Sequence, residues 1–137
     1  MGAVEPAGRG LMPRTGLALL LWAADPADPV RLATPFAHAA AAAALELQVE
    51  VYFSARSVLL LCPGVAEGLR ASTRFDKTIA DWMQDALDHG ARFLACSDAL
   101  AAQGLVHADL MPAARQHGGA VQFTARAADP AWATLVF

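Results

Sequence analysis

The cysteine that ends a short apolar run, Cys96, is the side chain in this sequence best placed for chemistry. Phe93–Ala95 has the apolar character of a buried strand, and Ser97 and Asp98 can each cap a helix that continues through Ala102. Cys96 is therefore predicted where a strand gives way to a helix. A thiol there lies close to free N–H groups and the positive end of the helix dipole, which both favour the thiolate. Because open α/β sheets bind ligands at this end of their strands, Cys96 is a candidate for chemistry.

Four other side chains are candidates for a cleft shared with Cys96. Ser97 and Asp98 follow it directly, and His107 comes soon after the predicted helix. Cys62 lies in a turn after an apolar run, where it could face the same cleft as a second thiol. For Cys62 the alternative is a structural role as a small hydrophobic residue, and for His107 it is a surface or capping role.

Several kinds of site are disfavoured by the spacing of the polar residues. The two cysteines are too far apart for a CxxC motif, and the four histidines show no metal-ligand spacing, so we expect no metal. Neither a GxGxxG nor a Walker A pattern occurs. The turn after the first predicted strand carries Asp25 and Asp28, whereas a phosphate needs N–H groups or positive charge. Nucleotides and flavins are therefore disfavoured, and no cofactor is expected.

Composition and charge restrict the partners. The formal net charge is −3 and the basic residues are scattered, which argues against nucleic acid and against anionic membranes. Hydrophobic residues make up 56% and charged residues 17%, against about 45–50% and about 25% in typical domains. This excess predicts that some apolar surface is buried in a homo-oligomer, and Trp132 is the tryptophan expected at that interface. Free thiols predict a cytoplasmic protein.

The chain divides into two parts. Residues 1–14 are rich in Gly and Pro and are predicted to be a flexible leader, and residues 15–137 are the right size for a single domain. Leu17–Ala24 is too short to span a membrane. It could be the apolar part of a signal peptide, but Glu5 in the would-be basic region disfavours secretion.

Predicted strands and helices alternate along the domain, which favours a mostly parallel five-stranded sheet with helices on both faces. The predicted strands are Gly16–Ala24, Val49–Ser54, Arg92–Cys96, Val121–Ala125 and Ala133–Phe137. The predicted helices are Val30–Leu47, Thr78–His89, Ser97–Gln103 and His107–Gln116. Pro35 could delay the start of the first helix, with Thr34 as its N-cap. Val58–Leu61 could be a further strand or the wall of a pocket.

Three segments carry a resemblance to a known family. They are Val49–Ser54 with Val58–Gly64, the amphipathic helix followed by Gly90–Cys96 and Ala99–Leu105, and the end from Gly119 that closes with Thr134–Phe137. The chain resembles the DsrE/DsrF-like family, which includes sulfur-relay subunits of the TusD type. The resemblance implies a three-layer α/β/α sandwich, flavodoxin- or Rossmann-like, that assembles into dimers, trimers or hexamers. For the sulfur-relay members it also implies a cysteine that carries a persulfide, and Cys96 stands at that position.

Two functional hypotheses follow. In the first, the protein is a sulfur carrier rather than a classical enzyme, and Cys96 takes sulfane sulfur from a donor protein and gives it to an acceptor. In the second, it is a non-catalytic oligomeric module that binds a small ligand or a partner protein beside Cys96. The reactivity of the thiol distinguishes the two hypotheses.

Overall fold

A single parallel sheet organises the computed structural model, which describes residues 13–137. Its strands are β1 (Gly16–Leu21), β2 (Gln48–Phe53), β3 (Arg92–Ala95), β4 (Gln116–His117) and β5 (Trp132–Val136). They lie in the order β4-β3-β2-β1-β5, and each neighbouring pair is parallel. The helices are α1 (Ala33–Ala44), α2 (Ile79–Asp88), α3 (Ser97–Ala102) and α4 (Ala120–Ala128). The predicted α/β fold with a parallel five-stranded sheet is confirmed.

The two faces of the sheet are covered by different helices, which makes three layers. On the first face, apolar side chains of β1, β2 and β3 pack against α1, α2 and α3 in the larger core. The rings of Phe36, Phe53 and Phe93 meet at its centre, with centroids 5.1–6.0 Å apart. On the second face, α4 packs Phe123 against a smaller core that includes Tyr52. Apolar residues alternate between these cores along β1, β2 and β3 because successive side chains point to opposite faces.

The prediction of a strand over Val121–Ala125 is wrong, because this segment lies within α4. Phe123 and Arg126 are three residues apart and therefore share one helical face, which both use to contact β2. Val121 instead points into solvent with 88% of its surface exposed. The fourth strand is β4, a two-residue strand that comes before the helix rather than within it.

Other boundaries also differ from the predictions. The segment predicted as a helix, His107–Gln116, contains two separate 3-10 turns, His107–Asp109 and Pro112–Ala114. Strand β4 follows them. Val58–Leu61 belongs to a 3-10 helix rather than to a strand. Helix α1 starts at Ala33, so Thr34 is not its N-cap, and Pro35 is tolerated in the first turn because N–H groups there need no helical partner. The helix ends before Glu46, whose φ of 67° is left-handed.

Most of the predicted leader, residues 1–12, lies outside the described residues. At its end, Arg14 donates a hydrogen bond of 2.8 Å to the carbonyl of Trp132. Trp132 itself is 7% exposed and packs in the second core, so the structure places it inside the chain rather than at an interface. Within residues 13–137, every helix falls short of the length and apolar character needed to cross a bilayer.

Candidate functional site at Cys96

Cys96 lies at the carboxyl end of β3, where the chain turns into α3. Its N–H donates to the carbonyl of Phe53, the last residue of β2, at 3.1 Å, and its own carbonyl accepts from Leu100 at 3.0 Å. The residue thus ends one ladder of sheet hydrogen bonds and starts the helical ladder. The structure places Cys96 at the strand-to-helix junction that the sequence predicts, with a free and partly exposed thiol.

Two neighbouring cavities meet at Cys96. The outer cleft, of about 750 Å³, is lined by Cys96, Ser97, Asp98, His117, Gly119, Ala120, Val121, Gln122 and Ala125. The inner cavity, of about 220 Å³, is lined by Leu20, Tyr52, Phe53, Ser54, Cys96, Gly118, Gly119, Ala120, Phe123 and Thr124. Cys96, Gly119 and Ala120 border both. The cavities lie at the carboxyl ends of the strands, where open parallel sheets place their ligands.

A histidine that the sequence analysis did not single out, His117, reaches the same part of the molecule as the thiol. It pairs with Ala95 in the register of β3 and β4, and so reaches the same end of the sheet as Cys96. Its Nδ1 and the Oγ of Ser97 share a hydrogen bond of 2.9 Å. A Cβ on Gly119 would lie 3.8 Å from His117 Nε2 and 3.9 Å from Cys96 Sγ. The imidazole and the thiol therefore border the same small gap.

Two glycines bring α4 to this gap. A Cβ on Gly118 would lie 2.6 Å from the Cβ of Leu94 and 3.1 Å from the ring of Tyr52, so only glycine lets the chain pass this close to the sheet. Gly119 has room for a Cβ but lacks one, and so the space between His117 and Cys96 stays open. The signal for the site was the Gly118–Gly119 pair after His117, to which the sequence analysis assigned no role.

The other predicted site residues are distributed between the outer cleft and its surroundings. Ser97 and Asp98 line the outer cleft with Cys96. His107 lies behind His117, with the two rings edge to face and their centroids 5.9 Å apart. The Nε2–H of His107 donates to the Ala95 carbonyl at 3.1 Å, since a carbonyl can only accept. His107 therefore supports His117 and is not one of the residues that line the cleft.

Cys62 lies in a different cavity, of about 230 Å³, and is not among the residues that line either cavity at Cys96. This third cavity is lined by residues that include Leu60, Leu61, Met83 and Met111. Val58–Leu61 therefore contributes to the wall of a pocket, which was one of the two predictions made for this segment. Burial raises the pKa of the Cys62 thiol, and the negative charge of Asp109 raises it further. The structure separates the two thiols rather than bringing them together.

A buried carboxylate holds α4 on the sheet below the inner cavity. Glu50 on β2 is 2% exposed and accepts two hydrogen bonds from Arg126, at 2.8 and 2.9 Å. Tyr52 donates a third, at 2.7 Å, and the Arg126 guanidinium stacks on the ring of Trp132 at 4.0 Å. Burial alone would raise the pKa of Glu50, but the hydrogen bonds from Arg126 and Tyr52, together with the positive charges of Arg126 and Arg92, outweigh it and lower that pKa. Burial and then the hydrogen bond to Glu50 raise the pKa of Tyr52, whose phenol therefore stays protonated.

A metal is not suggested by the donor groups of the described chain. Within residues 13–137, no three His, Cys, Asp or Glu side chains cluster as metal ligands would. The chemistry that this arrangement offers is that of a nucleophilic thiol beside an imidazole and a hydroxyl.

Comparison with known proteins identifies the class. A model of the DsrE/DsrF-like family matches residues 18–137, and the chain belongs to this family. The resemblance inferred from the sequence is thereby confirmed. None of the curated proteins matches the chain. A solved structure of a protein of unknown function from Methanobacterium thermoautotrophicum, MTH1491, is similar with a TM-score of 0.63 and 20% identity, covering 88% of this chain and 97% of that one. This similarity supports the three-layer α/β fold.

Proposed function

We propose that the protein carries sulfane sulfur as a persulfide on Cys96. The observation that supports this most directly is the position of a free, partly exposed thiol on the border of an open cleft at the carboxyl end of a parallel sheet. Membership of the DsrE/DsrF-like family gives the position its chemical context. Free thiols also suit a protein of the reducing cytoplasm.

The reaction is a thiol–disulfide type of exchange in two halves. In the first, the Cys96 thiolate attacks the outer sulfur of a donor persulfide; a new S–S bond forms, the donor S–S bond breaks, and the donor leaves as a thiolate. In the second, the thiolate of an acceptor attacks the outer sulfur on Cys96, and Cys96 is released as the thiolate. The sulfane sulfur moves without net oxidation or reduction, so neither half needs a redox cofactor.

The shapes of the two cavities suit this role. The outer cleft is broad enough to admit a segment of a donor or acceptor protein, and Val121 offers it an exposed apolar contact. The inner cavity is lined in part by Leu20, Phe53 and Phe123, and such a lining tolerates a polarisable sulfur atom better than it tolerates a charged group. A persulfide on Cys96 could therefore be kept away from solvent between the two transfers.

Mass spectrometry of the intact protein tests the proposal. After incubation with a low-molecular-weight persulfide donor, we expect the wild type and Cys62→Ser each to gain the mass of one sulfur atom that a reductant removes. Cys96→Ser should gain none, since Cys62 lies outside the site and its pKa is raised by burial and by Asp109. Sulfur found on Cys62 and not on Cys96 would refute the assignment.

A non-catalytic binding module is the second candidate, and the size of the outer cleft favours it. A volume of about 750 Å³ falls within the range of about 300–1,000 Å³ that is common for small-molecule sites. In this case Cys96 would line a ligand site without reacting. An alkylation rate for Cys96 in the folded protein no higher than in the denatured chain, together with no uptake of sulfur, would favour the binding module.

A further inference from the structure

We infer that His117 exchanges the proton of the Cys96 thiol, with Ser97 and His107 as the residues that position its ring. This inference rests on the proposed function, since it assigns the acid–base partner of the same thiol. The fold brings together Cys96 and Ser97, at the junction of β3 and α3, and His117 on β4. Ser97 and His117 are 20 residues apart in the chain.

The geometry places the imidazole and the thiol on the border of one gap. His117 Nε2 and Cys96 Sγ lie 3.8 and 3.9 Å from the same point above Gly119. A general base acts either in direct hydrogen-bond contact or through one water molecule, and the second route is the one proposed for the gap above Gly119. A nucleophile, a base and a third group that orients the base are the parts that covalent catalysis requires.

Ser97 sets the direction of proton transfer. When its Oγ accepts from the Nδ1–H of His117, the lone pair on Nε2 is free to face the gap and the thiol. The ring of His107 packs edge to face with that of His117, and His107 is itself fixed by its hydrogen bond to the Ala95 carbonyl. The ring of His117 is therefore restrained by two neighbours, Ser97 and His107, while it also lines the outer cleft.

The proton balance of sulfur transfer explains why such a partner is useful. His117 takes the proton of the Cys96 thiol, and the resulting thiolate attacks the outer sulfur of the donor persulfide. The donor departs as a thiolate, and the imidazolium returns the proton to it. One S–S bond is broken and one is formed, and one S–H bond is exchanged for another. The same steps in reverse order serve an acceptor thiol.

Few other titratable groups face the thiol. The outer cleft receives Asp98 from α3 and His117 from β4, and the α4 residues that line it are uncharged. Tyr52 faces the inner cavity from β2, but its hydroxyl is engaged with Glu50. His107 packs against the ring of His117 and is not among the residues that line the cleft. Among these groups, His117 is the one with both the chemistry and the orientation to exchange a proton with Cys96.

Alkylation of Cys96 by iodoacetamide, measured in a Cys62→Ser background, tests the inference without any sulfur donor. We expect His117→Gln to slow alkylation near neutral pH by about tenfold, which is less than the usual effect of a general base because a thiol ionises partly unaided. The shape of the rate–pH profile should change as well, because the imidazole no longer takes the proton. Alkylation of Cys96 should be slower in Ser97→Ala than in the parent protein. In Ser97→Thr, which keeps the hydroxyl, the alkylation rate should be close to that of the parent. Free imidazole should restore the rate of His117→Ala.

His89→Gln is the matched control, because His89 also bonds through Nδ1 but lies at the end of α2. Its rate should equal that of the parent, and circular dichroism of each variant verifies folding. Unchanged rates and profiles in His117→Gln and Ser97→Ala would overturn the inference. A tenfold loss with rescue by imidazole, in a protein that takes up no sulfur, would uphold the role of His117 and refute sulfur transfer.

Discussion

At the scale of single residues, Cys96 and His117 differ in how far the sequence reveals them. Cys96 was predictable because strand, cap and helix follow one another locally around it. His117 was not, because its place depends on the pairing of Ala95 with His117 across β3 and β4, which local patterning does not encode. The sequence left two interpretations of Cys62 open for the same reason, since each thiol borders a cavity that distant segments complete.

The gap above Gly119 leads to a prediction at this scale. Gly119→Ala places a methyl group 3.8 Å from His117 Nε2 and 3.9 Å from Cys96 Sγ, without a steric clash and at a φ of −122° that alanine adopts freely. We expect alkylation of Cys96 to slow several-fold, while the free energy of unfolding falls by only about 0.5–1 kcal/mol from the weaker N-cap.

The neighbouring Gly118→Ala is the contrasting variant, because its Cβ would clash with Leu94 at 2.6 Å. It should cost about 1–3 kcal/mol of stability through overpacking. Urea denaturation together with alkylation kinetics separates the two effects. Equal alkylation rates in Gly119→Ala and the wild type would show that the gap has no part in the reactivity of the thiol.

At the scale of elements, α4 shows why part of the fold could not be predicted. Its short sequence has no side-chain cap at Gly119 and no buried residues of its own. The face of α4 that packs on the sheet is set by the contacts that Phe123 and Arg126 make with Tyr52 and Glu50 on β2. Helix α2, by contrast, was predicted to within a residue at each end because a reciprocal capping box between Thr78 and Asp81 and a strong apolar stripe are local signals.

The attachment of α4 through Glu50 can be tested by stability against pH. Glu50→Gln leaves Arg126 without its buried partner. We expect the free energy of unfolding to fall by about 3 kcal/mol near neutral pH. This is the lower end of the range for a broken buried pair, because Arg126 is 30% exposed. The folded-state pKa of Glu50 lies below its ordinary value of 4.5, so its contribution is complete above that pH and is lost as the pH falls through the folded value.

The stability difference between the wild type and Glu50→Gln should therefore shrink in acid, as measured by chemical denaturation at several pH values. Asp76→Asn serves as the control, since Asp76 is fully exposed and its contact with Arg70 is 4.0 Å long. It should change stability little at any pH. A difference for Glu50→Gln that stays constant from neutral to acid pH would contradict the assigned role of the carboxylate.

At the scale of the whole molecule, the two edges of the sheet are unlike each other. The edge at β4 is two residues long, whereas the edge at β5 has five residues and exposes Leu135 and Val136. Exposed apolar side chains on an edge strand favour pairing with another chain. The apolar composition of the sequence agrees with this, and we expect the protein to form a homo-oligomer through the β5 edge.

Light scattering coupled to size-exclusion chromatography measures this directly. The wild type should have a mass that is a multiple of the monomer, and Val136→Lys should shift it towards the monomer because a charge on an edge strand opposes pairing. Val30→Lys, at an exposed apolar site before α1, is the matched control and should leave the mass unchanged. A monomeric wild type at micromolar concentration would rule out self-association by this edge.

The central claim is that Cys96 both receives and gives up sulfur, and isotopically labelled sulfur tests it most directly. Cys62→Ser is loaded from a labelled persulfide donor, freed of the donor by gel filtration, and then mixed with a thiol acceptor. The account predicts that the label appears on Cys96, one atom per chain, and then moves to the acceptor as the Cys96 thiol reappears. A Cys96 that never takes up the label, or that keeps it in the presence of excess acceptor thiol, would contradict it.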